Sequence, residues 1–95
     1  MRKKQNFVLR KIADEYIFIP IGNTAEQFNG IITLNETALF IYEIIENVNS
    51  FEELIERLKK EYDIDEITLI NDTVQLLTSM LQNNLIEPTN TESGW

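Results

Sequence analysis

The sequence predicts an α+β domain: a winged-helix-like arrangement of a three-stranded antiparallel sheet followed by a three-helix bundle, βββααα. Three observations predict it. β-branched and aromatic runs crowd the first third of the chain, capping residues open helical periodicities in the remainder, and the strands precede the helices instead of alternating with them. Ninety-five residues is one domain's worth of chain. The organisation expected is a basic, flexible N-terminus over 1–6, a folded domain over 7–87 and a polar, flexible tail over 88–95.

The first strand is Phe7-Val8-Leu9-Arg10-Lys11-Ile12, and Ala13-Asp14-Glu15 is a polar break suited to a hairpin. Tyr16-Ile17-Phe18-Ile19-Pro20-Ile21 is the second strand, where Pro20 marks an edge or an exit from pairing. A loop over Gly22 to Gln27 leads to a third strand, about Phe28 to Leu34, which carries no charge to discourage wrong partners.

Asn35 is the expected N-cap of the first helix, with Ala38, Ile41, Tyr42, Ile45 and Val48 at helical spacing after it. Ser50-Phe51-Glu52-Glu53 is a capping box, and Leu54, Ile55, Leu58 and Tyr62 form the apolar face of the second helix. Asp63 or Asp65 caps a third helix from about Glu66 to Asn83, ended by Asn84 in a left-handed conformation. That helix carries two apolar stripes. Ile67, Ile70, Val74, Leu77 and Leu81 are assigned to the core. Leu69, Thr73, Leu76 and Met80, flanked by Asp72, Ser79 and Asn83, offer either a second packed side or a shallow amphipathic groove.

Composition removes most chemistry. With no histidine and no cysteine there is no Ser-His or Cys-His pair, no thiolate and little basis for a zinc or copper site. Asp63-Ile64-Asp65-Glu66 lacks the glycine of a calcium loop, and three glycines form neither a Walker loop nor a dinucleotide fingerprint. No catalytic residue, metal site or cofactor is expected. The net charge is −8, and after Lys60 there is no Lys or Arg, so the last helix has nothing to set against phosphates. Nucleic acid is therefore disfavoured. No run is long enough to span a membrane and no signal peptide is visible, so a cytoplasmic location is expected.

The hairpin ending "IFIPIG", then "GIITLNETALFIYEII", "SFEELIERLKKEYDID" and "INDTVQLLTSMLQNNLI", resembles the PqqD-like family, over about Phe7 to Ile86. Tyr42 stands where the family often has Trp, and Asn84 where it often has Gly. The resemblance implies a peptide chaperone in coenzyme-PQQ-type or other ribosomal natural-product biosynthesis. Such a module binds the leader segment of a ribosomally made precursor peptide and presents it to a modifying enzyme such as a radical-SAM protein, a leader protease or a cyclase. The leader would add as a strand to the third strand and pack against the last helix. On these positions the resemblance implies edge backbone from Asn29, Gly30, Ile31, Ile32 and Thr33. The opposite wall would come from Leu69, Asp72, Thr73, Leu76, Ser79 and Met80. The alternatives are a domain that pairs its third strand with its own copy, without any leader, and, less favoured, a winged-helix nucleic-acid binder.

Overall fold

The computed structural model describes residues 1–4, 7–21, 32–89 and 95. Its elements are β1 (Arg2–Lys3), β2 (Phe7–Ile12), β3 (Glu15–Pro20), β4 (Ile32–Leu34), α1 (Glu36–Ile44) with a 3₁₀ turn over Ile45–Asn47, α2 (Phe51–Glu61), α3 (Glu66–Gln82) and β5 (Ile86–Glu87). The expected order of sheet, then three helices, is the observed one. The expected third strand is seen as β4, and its residues 28–31 lie outside the described residues.

Strands β2, β3 and β4 form an antiparallel sheet in that order. Ile12 pairs with Glu15, so Ala13 and Asp14 make a two-residue turn with Ala13 at φ 55°. Phe18 pairs with Leu9 on one side and Ile32 on the other, which places these side chains on one face. That face meets the helices: Phe18 is 1% exposed and sits edge-on to Tyr42 of α1, ring centroids 4.8 Å apart. Thr33, one residue along β4, points to the other face and is exposed.

Each helix begins with a side-chain cap. Asn35 Oδ1 accepts the Ala38 amide at 2.8 Å, Ser50 Oγ the Glu53 amide at 3.1 Å and Asp65 Oδ2 the Thr68 amide at 3.2 Å. The return half of the box differs from the simple pattern: the Glu53 carboxylate accepts the amide of Asn49, one residue before the cap. At the end of α3, Asn84 adopts φ 59°, its amide bonds to Leu81 and the Leu85 amide to Met80, the paired bonds of a Schellman turn.

The first stripe on α3 is core in part: Leu77 is in the core and Ile70 and Leu81 pack against it, but Ile67 and Val74 do not. Ile67 is 71% exposed and Val74 47%, whereas Leu69, Thr73, Leu77 and Met80 are buried. The turn at Asn84 folds Leu85 and Ile86 back into the core beside Met80, so the Met80 side of the helix faces inward.

Described residues before 7 and after 87 also contact the domain. Arg2–Lys3 pairs antiparallel with Ile86–Glu87, and the Lys4 amide bonds to the Leu85 carbonyl. Met1 and Trp95 are buried in the main cluster. Apolar side chains at both ends, Met1 and Trp95, hold them on the domain. Among the described residues no helix is long and apolar enough to cross a membrane.

Candidate cleft beside the sheet edge

β4 pairs with β3 along one side, and among the described residues nothing pairs with its other side. Three features place the start of α1 next to that edge. The chain leaves β4 at Leu34, Asn35 caps the helix without a break, and Glu36 already lies in the first turn, where the helix dipole favours an acid.

A cleft of about 420 Å³ opens beside this junction, lined by Asn35, Thr37, Ile64, Leu69, Asp72, Thr73, Gln75 and Leu76. Its walls are therefore the first turn of α1, the linker into α3 and the N-terminal half of α3. A second hollow adjoins it at Asn35, on the sheet side, where Thr33 and Leu34 of β4 meet Asp14, Glu15, Tyr16 and Glu36. An apolar floor with polar groups at its margin is the usual composition of a binding groove.

The residues singled out by the sequence separate into groups. Leu69, Asp72, Thr73 and Leu76 share this cleft. Ile32 is half-buried opposite Phe18, and Thr33 is exposed in the adjoining hollow. Asn29, Gly30 and Ile31 lie outside the described residues. Ser79 and Met80 sit elsewhere. The Ser79 carbonyl accepts the Asn83 side-chain amide at 2.9 Å, and Met80, 1% exposed, is packed in the core. Their position follows from α3's length: Ser79 and Met80 lie about one turn beyond Leu76, the last residue lining the cleft, near the Schellman end.

Four lining residues were not singled out: Asn35 (read as a cap alone), Thr37, Ile64 and Gln75. Ile64 had a signal. It is a lone isoleucine between two aspartates, and it is 42% exposed despite its apolar side chain.

Thr73 is the polar exception in the core. It is 1% exposed and its Oγ1 has no hydrogen-bond partner among the described residues. Among the described residues no group of three His, Cys, Asp or Glu side chains is placed to hold a metal ion.

A short antiparallel sheet with an open edge, joined by one cap residue to a helical cleft, defines an α+β domain of the type that can take up an extended chain. The sequence model of the family described as "Coenzyme PQQ synthesis protein D (PqqD)" matches residues 15–86, and the chain belongs to this family. No curated protein matches the sequence at a significant level. Among solved structures, the fold is similar to that described as "TbiB1 in Complex with the TbiA(beta) Leader Peptide". The TM-score is 0.70 at 20% sequence identity, over 95% of this chain and 99% of that one.

Proposed function

We propose that the chain is a non-catalytic binding module. It captures the leader segment of a ribosomally synthesised precursor peptide as an added strand along β4, and presents it to a modifying enzyme. The observation that carries this reading is the shared fold with TbiB1, a protein solved with a leader peptide bound. Membership of the PqqD family and the open edge of β4 beside the cleft support it. In strand addition the backbone of Ile32 and Thr33, continued through Asn29, Gly30 and Ile31, supplies hydrogen bonds, while the cleft chooses side chains. Leu69, Asp72, Thr73 and Leu76 form that wall; Ser79 bears on the peptide only if it extends along α3, and Met80 supports the wall from below. The partner enzyme is of the radical-SAM, leader-protease or cyclase type, and the setting is cytoplasmic.

The test is a titration of isotope-labelled protein with precursor peptides encoded beside the gene. Amide shifts are expected in 28–37 and 64–76, saturating at one peptide per chain. No shift in either segment would refute the reading. The open edge also fits a second reading, self-pairing through β4. That reading predicts a mass that rises with concentration and falls in Ile32→Pro.

A further inference from the structure

Of the three threonines on helix α3, Thr73 and Thr78 behave differently. Thr78 is exposed and returns its hydroxyl to the Val74 carbonyl at 2.7 Å, the ordinary habit of a helical threonine. Thr73 is buried, makes no such bond among the described residues and is one of the residues lining the cleft, so an unused hydroxyl lies beneath the cleft surface. A buried hydroxyl without a partner is costly to keep, and a bound chain is one way to satisfy it.

Charge around the same place is one-sided. Asp72 lines the cleft, and Asp14, Glu15 and Glu36 line the hollow that joins it at Asn35, while among the described residues no Lys or Arg lines either. None of these four carboxylates is in an ion pair among the described residues. Lys11 lies over the Tyr16 ring at 5.4 Å, and Lys59 on α2 is engaged by Glu56 and Glu66. The apolar part of the cleft lining is Leu69, Leu76 and Ile64, of which Ile64 is the most exposed.

We propose that this cleft selects a cationic leader. An apolar side chain rests on Leu69, Leu76 and Ile64, a neighbouring Lys or Arg faces Asp72 and the hairpin carboxylates, and a polar group of the same segment bonds to the Thr73 hydroxyl. The inference rests on the leader-binding reading and adds the class of leader. Complementary charge at a rim acts chiefly on partner choice and on the rate of encounter.

The experiment uses the full chain and three short fluorescent peptides that share an Ile-Val core flanked by Lys, by Gln or by Glu. The Lys peptide is expected to bind at least about fivefold more tightly than the Gln peptide, with the preference shrinking at high salt. Asp72→Asn and Glu36→Gln should each weaken it by about two- to fivefold. Thr73→Val, nearly the same shape, should weaken every peptide that binds yet leave the melting temperature unchanged or raised, since it removes an unsatisfied buried hydroxyl. A drop in melting temperature with unaltered affinity would assign Thr73 to packing and overturn its part. Equal affinity for the three peptides, a preference for the Glu peptide, or binding of none overturns the cationic selection. If encoded precursor peptides still shift 28–37 and 64–76 in that event, leader binding stands and only its charge preference falls.

Discussion

The indole of Trp95 donates its N–H to the Val48 carbonyl at 3.1 Å, joining positions 47 residues apart. Val48 follows the 3₁₀ turn after α1 and is 3% exposed, so the bond satisfies a carbonyl that water does not reach. Trp95→Phe keeps most of the apolar contact and loses this bond, and is expected to destabilise the domain by about 1 kcal/mol in urea unfolding followed by circular dichroism. Trp95→Ala should cost about 2 kcal/mol or more. Emission from Trp95, the only tryptophan, should be blue-shifted in the folded protein and poorly quenched by acrylamide.

The hairpin turn carries a local conflict. Ala13 holds φ 55°, a conformation its Cβ resists and glycine does not, and two-residue turns with a positive φ at the first central position favour glycine there. Ala13→Gly is expected to stabilise the domain by about 0.5–1 kcal/mol, net of the extra freedom glycine adds to the unfolded chain. The midpoint of urea unfolding should rise with an unchanged slope.

The cap of α2 gives a separable pair of effects. Ser50→Ala removes the acceptor for the Glu53 amide and should cost about 1 kcal/mol. Glu53→Gln keeps an oxygen for the Asn49 amide at 2.8 Å and should cost only a few tenths of that. Equal losses in the two variants would show that the carboxylate charge matters as much as the Ser50 hydrogen bond at this terminus.

Alkaline pH should act through Tyr42. Burial, reinforced by the nearby Glu46 carboxylate, raises its pKa above the ordinary value. Above about pH 10 the unfolded chain has lost the phenolic proton while the folded chain retains it, so the folded state binds more protons and stability falls as pH rises. Below that pH the effect is absent. Tyr42→Phe should flatten this part of the stability profile, and tyrosinate absorbance should show one late-titrating tyrosine in the folded protein.

Local rules were legible in the sequence and long-range ones were not. Asn35, Ser50 and Asp65 cap their helices because a cap needs only the next three residues, and Asn84 ends α3 for a similarly local reason. On α3 only Ile67 and Val74 depart from the core stripe, because both stripes repeat at the helical period and how far each is covered rests on where Leu85 and Ile86 return. Periodicity favoured the branched aliphatics Ile67 and Val74 over a stripe that includes a threonine. Strands β1 and β5 are two residues each, too short to show any alternation, so their pairing had no sequence signal. At the cleft, helical spacing brought Leu69, Asp72, Thr73 and Leu76 together, but Thr37 and Ile64 come from other segments and join them only in the fold.

The described part of β4 is three residues, about 10 Å of strand. Under the proposed reading, backbone bonds along such an edge do not depend on the docking chain's side chains, so by themselves they leave it free to slide by two residues at little cost. A slide by one residue would turn the wrong side chains inward. The position at which a leader locks is then fixed by the cleft on α3, with β4 as a track. Spacing between a leader's anchor residues and its modified core, more than the anchors' identity, would set which bond reaches the enzyme.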